Sequence, residues 1–473
     1  MKNFILILPF FIQSIQALEV SDKSELLKIV TETILKNQKI ENTGIGISVF
    51  NKNELILEKG FGLRDRENNL AVDEHTLFAI GSTTKAFTSL GIKLLENRNQ
   101  LKLNDLVTIH LPDFKLSNEF ITQNATIEDL LTHRIGLPRH DLMWLFTDFS
   151  REENFKRMQY LDFPIDAEKK FRNEFHYNNF FYMTAGKIIE AKTALTYEQF
   201  IQNEILEKLS MNETFLTIPQ KTANLAKPYY LEKSVPHKNI DDMAPAGSIY
   251  SSAHDMSKWI QSFLKQTWEN QDDLFKARIG LDNEKPNLDY GYGLAWMTNT
   301  TNDQFHWYFH DGAIYGFSAL VLFSPELDLG IVVLVNQNGA SIGNEIVSSI
   351  LKYAIANKTQ SNKSLTFLDL KLINLDTISP MKNTKNIRTD LISSFEHPAY
   401  GKIDLVQNDN TEFLSYYGET WELLKKDSYD YFNYVITLPV GGESYPDFPI
   451  KIETSTIEIP FQSEVNPIKF MIQ

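Results

Sequence analysis

The sequence predicts an α/β protein: an antiparallel sheet flanked by helices with a helical subdomain, followed by a small all-β, barrel-like domain. Three observations carry that reading. Apolar hairpin patterns lie at both ends of the first 355 residues. Helical periodicity fills the space between them. Beyond about residue 365 the helical signals nearly vanish and short strand patterns take over.

Taken in order, Lys2 and the apolar run Phe4–Ile12 lead to Ala17, a pattern that predicts a signal peptide over 1–17 and export to the periplasm or medium. Residues 24–37 carry apolar positions at helical spacing. Segments 45–50 and 55–59 flank Asn51–Glu54 and read as a hairpin. Helices are expected over 86–96, over 126–132 with Thr126 and Asp129 as a capping pair, and over 180–191 and 252–264. The run 317–335, broken by Pro325–Asp328, is a second hairpin. A sheet built from both hairpins, with the helices packed on it, accounts for this order and defines one unit over 18–355. Residues 356–366 read as a polar linker, and 367–473 as antiparallel strands separated by turns such as Asn408–Asn410 and Gly441–Gly442.

Composition narrows the function classes. Against 46 Lys and Arg stand 61 Asp and Glu, a formal charge of -15, which disfavours a nucleic-acid backbone or an anionic membrane surface as the main partner. No segment beyond the leader is apolar enough to span a bilayer. There is no cysteine, so disulfides, thiol catalysis and thiolate metal sites are excluded. The ten histidines include no H-E-x-x-H. His306 and His310 share a strand face, but His133 and His140 flank a Gly-Pro turn and read as loop braces.

Three separated motifs can carry chemistry. In FAIGSTTKAF, Ser82 opens a helix and Lys85 follows on the same face. An amine one turn away can deprotonate a serine if burial or a positive neighbour lowers its pKa. The Ser82 N–H, near the helix start, can face an oxyanion. In FHYNNFFY, Tyr177 can relay a proton and Asn179 can hold Lys85 or a substrate carbonyl. In FHDGAIYGF, Gly312 permits close approach to an edge strand, Ala313 offers a second oxyanion N–H, and His310 can bind a carboxylate or carbonyl, or tune Tyr177. Each motif also has a purely structural reading, in which Ser82 and Asn179 cap helices, Tyr177 packs and His310 is a structural hydrogen-bonding residue.

Together, Ser82-Thr83-Thr84-Lys85, Tyr177-Asn178-Asn179 and His310-Asp311-Gly312 resemble, in order and separation, the serine beta-lactamase-related superfamily. The likeness is to its class C beta-lactamase, D-aminopeptidase and penicillin-binding esterase branch. Supporting text is LLTHRIGLPRH at 130–140 and APAGSIYSSAHDMSKW at 244–259. The resemblance covers about residues 20–355 and implies a beta-lactamase/transpeptidase-like fold. It implies Ser82 as the acylated nucleophile, Lys85 and Tyr177 as base and acid, Asn179 as organiser, and Ser82 and Ala313 N–H as oxyanion hole. No metal or organic cofactor enters such a reaction. His310 stands where class C enzymes carry lysine, which favours small esters or D-residue peptides and amides as substrates. Beta-lactamase or DD-carboxypeptidase action, or a non-catalytic binding role, are the alternatives. The final domain resembles the lipocalin-like barrel attached to some of these hydrolases.

Overall fold

The computed structural model describes residues 23–37, 42–230, 233–301, 305–338, 341–359, 390–408, 411–417, 419–425, 434–440, 443–460 and 465–473. The expected leader 1–17 and residues 360–366 of the expected linker lie outside them.

The first sheet draws its strands from both ends of the leading segment. They are β1 (Ile45–Phe50), β2 (Leu55–Phe61), β3 (Ile279–Gly280), β4 (Tyr290–Tyr292), β5 (Met297–Thr301), β6 (Phe305–Ile314), β7 (Phe317–Ser324) and β8 (Leu329–Val335). Their order is 2-1-8-7-6-5-4-3, antiparallel throughout. The two hairpins meet where Ile45 lies opposite Val335 and Phe50 opposite Gly330.

Five helices matter below: α1 (Lys23–Lys36), α2 (Thr84–Asn97), α3 (Asn179–Thr193), α4 (Ala253–Leu264) and α5 (Ile342–Thr359). On one face of the sheet, α1 and α5 share a core with Ile47, Leu322 and Val333. On the other, Trp259 and Phe263 of α4 and the remaining helices share a core with Val321, Phe323 and Leu334. Burial on both faces is why β1, β7 and β8 read as continuous apolar runs rather than alternating ones. The expected cap forms, Thr126 and Asp129 making a reciprocal capping box, and Ser252 also accepts from Asp255 N at the start of α4.

Two boundaries differ from the sequence reading. The sheet gains β3 to β5, whose short, partly polar strands carry little alternation. Helix α5 runs through Thr359, into the expected linker 356–366, because polar residues can finish an amphipathic helix as readily as they make a linker.

Residues 390–472 contribute nine strands to a second antiparallel sheet, including β9 (Asp390–His397) and β10 (Gly401–Asn408). Its edge strands, Glu419–Glu422 and Leu424–Lys425, are separated in the chain only by Leu423. The sheet therefore curls into a half-barrel. Among the described residues, none of its strands pairs with the first sheet.

Candidate active site

Gly81 turns the chain into the site. Its φ of 51° lies in the left-handed region that favours glycine, and it opens a single 3-10 turn, Gly81–Thr83, ahead of α2. Ser82 caps no helix, since neither that turn nor α2 has a side-chain cap. Its hydroxyl instead hydrogen-bonds with Lys85 Nζ, 2.9 Å from Oγ. Lys85 also donates to Asn179 Oδ1 (2.7 Å) and to Ala246 O (2.8 Å). The lysine is fully buried. Burial pushes its pKa well below the ordinary lysine range; Arg139 adds to this, while Asp141 and Asp311 oppose it.

That geometry has a chemical consequence. A neutral amine has two N–H donors and one lone pair. Asn179 Oδ1 and Ala246 O are acceptors only, so they take the two donors. The lone pair is left facing the Ser82 hydroxyl, the arrangement a general base needs. The Ala246 carbonyl comes from the turn Ala244–Gly247, held against α2 by Thr88, which donates to Pro245 O at 2.7 Å.

Asn178, not Asn179, caps α3, by accepting from Phe180 N at 2.9 Å. Asn179 is thereby freed for Lys85. Its amide orientation is set by Asp141, which accepts from Asn179 Nδ2 at 3.0 Å and can only accept while ionised. Tyr177 brings its ring to 4.8 Å from Lys85 Nζ. Among the described residues its buried hydroxyl has no well-formed hydrogen bond. Burial pushes its pKa well up, with the neighbouring Ser82 hydroxyl and Arg139 pulling the other way. His133 braces this segment: it accepts from Asn178 N at 3.1 Å, and its carbonyl accepts from His176 N at 2.7 Å.

Strand β6 supplies the opposite wall, and here the sequence reading needs correction. β6 is an edge only in part, because it pairs with β7 from Tyr308 to Ile314 and with β5 from Phe305 to Phe309. Only its second half, from His310, lacks a partner on the β5 side. That half meets the Ser82 turn. A Cβ on Gly312 would lie 2.1 Å from Ile80 O and 2.9 Å from Ser82 N, so the missing side chain makes room for the Ser82 turn. The two-residue loop Tyr315–Gly316 closes on a hydrogen-bonded pair, Ile314 and Phe317. Alternation then makes Ala313 a non-hydrogen-bonded position whose N–H points away from β7, toward Gly81, whose added Cβ would sit 2.8 Å from it.

His310 shares the Gly312 face but lies a layer deeper. It is fully buried, with Nε2 3.0 Å from the Tyr292 hydroxyl and Nδ1 bonded to Asp311 O. Burial, then Lys85, pushes its pKa down to about 3. It stands behind Tyr177, ring centroids 6.5 Å apart, and is not on the cleft wall.

The cleft is lined by Ser82, Asn179 and Ala313, together with side chains the sequence did not single out: Arg139, Asp141, Trp144 and Tyr315 among them. Arg139 pairs with Asp141, and its guanidinium lies 5.1 Å from the Tyr177 ring centroid. Trp144 Nε1 donates to Asp141 Oδ1 at 2.8 Å. Arg139 lies within LLTHRIGLPRH and Tyr315 within FHDGAIYGF, but neither is given a role there, and Asp141 and Trp144 lie just beyond the first.

A family model described as beta-lactamase matches residues 34–347. The chain belongs to the beta-lactamase family. Among its relatives, Protein flp of Staphylococcus aureus (strain NCTC 8325 / PS 47) is 30% identical over 322 residues, which is 65% of this chain and 62% of that protein. An unguisins hydrolase of Aspergillus campestris (strain IBT 28561) is 31% identical over 309 residues, 60% of this chain and 56% of the relative. The matches thus span less than two thirds of these relatives' own length. In three dimensions, the octameric penicillin-binding protein homologue from Pyrococcus abyssi has the same fold, with a TM-score of 0.62 at 22% identity over 96% of this chain and 100% of that one.

Proposed function

We propose that this family member is a serine hydrolase that forms an acyl-enzyme on Ser82 and acts on small esters or D-residue peptides and amides. The observation that carries the reading is the Lys85 amine, 2.9 Å from Ser82 Oγ, with both other contacts taken by pure acceptors. Neutral Lys85 accepts the Ser82 proton as Oγ bonds to the substrate carbonyl carbon. The carbonyl electron pair moves onto oxygen, beside the Ser82 and Ala313 N–H groups. Tyr177, kept protonated by burial, donates to the departing alcohol or amine and regains its proton from the Lys85 ammonium. Water then attacks the acyl carbonyl, surrenders a proton to the base, and releases the acid and free Ser82.

The neutral, buried His310 favours substrates that need no carboxylate anchor. A second reading, turnover of a beta-lactam or a D-Ala-D-Ala end, draws on Arg139, whose guanidinium suits a carboxylate. The test compares kcat/KM of the purified protein and Ser82→Ala on a p-nitrophenyl acyl ester, a D-alanine anilide and a chromogenic cephalosporin. The expected result is turnover of the ester or anilide, lost in Ser82→Ala. Best turnover of the cephalosporin would move the reading to Arg139 and a carboxylate. Equal rates for both proteins on all three would leave a binding protein.

A further inference from the structure

The turn between β9 and β10 reaches from the second sheet to His140, in the loop that carries the cleft residues Arg139 and Asp141. Tyr400 in that turn is fully buried, and its hydroxyl lies 2.7 Å from His140 Nδ1. The direction of this bond follows from the other ring nitrogen. His140 Nε2 lies 2.9 Å from Asp162 O, which can only accept, so Nε2 carries the proton. Burial keeps the ring neutral, with its pKa pushed down to about 4. Nδ1 is therefore a bare lone pair, and Tyr400 donates to it.

His140 needs such a hold. Its φ of 49° lies in the left-handed region that strains a non-glycine residue. Its chain neighbours are Arg139 and Asp141, both on the cleft wall. Asp141 orients the Asn179 amide, and Asn179 in turn receives the Lys85 amine. A continuous path thus runs from the second sheet through one side-chain bond, one backbone step and two more hydrogen bonds to the candidate base. The turn itself is firmly seated. Arg157 Nη1 donates to Pro398 O at 2.6 Å, and the Tyr416 hydroxyl donates to Tyr400 O at 2.9 Å.

We infer that Tyr400 is a positioning residue of the active site: through His140 it fixes the turn that places Asp141, and so Asn179 and Lys85. The second sheet is then part of the catalytic apparatus. The inference rests on the hydrolase reading above.

Its test uses the full chain, comparing wild type with Tyr400→Phe, His140→Asn, His140→Ala and Arg157→Gln. The readouts are kcat and KM on the ester, the rate of fluorophosphonate attachment to Ser82, and Tm. Tyr400→Phe keeps the ring and loses the donor. It should lower kcat and the labelling rate about tenfold, with KM changed less than about twofold, because a small displacement of a catalytic group costs rate rather than binding. Asparagine tolerates the left-handed backbone, so His140→Asn should retain several-fold more activity than His140→Ala. Arg157→Gln loosens the turn without touching the His140 bond; it should lower Tm while kcat per labelled serine stays near wild type. Labelling and kcat unchanged in Tyr400→Phe would overturn the inference, as would a kcat loss that tracks Tm across all four variants. A wild-type protein that never labels at Ser82 would instead sink the hydrolase reading.

Discussion

The Ser82 turn and strand β6 face each other across the same cleft, yet the sequence discloses them differently. In the turn, two side chains three residues apart meet because a helix stacks them, and Lys85 reaches Ser82 as that spacing requires. In the strand, alternation places His310 and Gly312 on one face: their partners Val321 and Ala319 belong to the core on the helical side, and Leu320, opposite Asp311, belongs to the other. Yet the histidine lies too deep to line the cleft. What reaches the Ser82 turn is a glycine without a side chain and the alanine N–H after it. A helical motif presents its chemistry in side chains, whereas this strand presents it in backbone, legible in the sequence only through Gly312 and the N–H that follows it.

The sharpest break in the comparison is Lys85→Met. Methionine keeps most of the stem volume and removes the amine. If the turn works through side chains, acylation of Ser82 should slow by about 10²–10⁴-fold, the usual range for a positioned base. The measurement is single-turnover labelling by a fluorophosphonate. A variant that labels at the wild-type rate would show that Ser82 is activated by another group, Tyr177 being the nearest.

Gly312→Ala probes the strand in the same way. The new Cβ meets two backbone atoms, Ile80 O and Ser82 N, neither of which can swing aside. β6 and the turn must part, and the two N–H groups separate. Loss of about 10²-fold in kcat is expected, the size seen when one oxyanion donor is removed, with a lower Tm from the same displacement. An unchanged kcat beside a lower Tm would mean that the close approach serves packing alone.

The same contrast explains what else was legible. The hairpins over 45–59 and 317–335 and the Thr126–Asp129 box were visible because apolar runs and caps are local signals. β5, Met297–Thr301, was not, since MTNTT shows no alternation and is held by pairing with β4 and β6. Ser82, Lys85, Tyr177 and Asn179 could be named, and their side chains do come together. Asp141 could not. It stands in a loop, and its bearing on the site exists only through Asn179, thirty-eight residues away in sequence. Ala246 is harder still, because it acts through a carbonyl that every residue possesses.

Asp311 gives the smallest effect and separates the two faces of β6. Burial pushes its carboxyl up to about 7, against the pull of a backbone hydrogen bond and of Lys85 and Arg139, and among the described residues Oδ1 has no hydrogen-bond partner. An unfolded aspartate titrates near about 3.9. A folded-state pKa raised above that value stabilises fully below about pH 3.9, and the contribution is lost as pH rises through about 7. Asparagine has the same shape and never ionises, so Asp311→Asn should escape that loss. Its Tm relative to wild type should rise between pH 5 and pH 8, by about 2 °C in a chain of this size. The ionised carboxylate also raises the Lys85 pKa. Removing it should therefore move the acid limb of kcat/KM to lower pH, while kcat on the alkaline plateau changes less than about threefold, because a neighbour that touches no reacting atom gives up only a modest charge interaction. A Tm difference that stays flat across that range would show that Asp311 does not titrate there. A collapse of kcat at pH 8 would place its carboxylate in the chemistry itself, and the division between the two faces of the strand would fall.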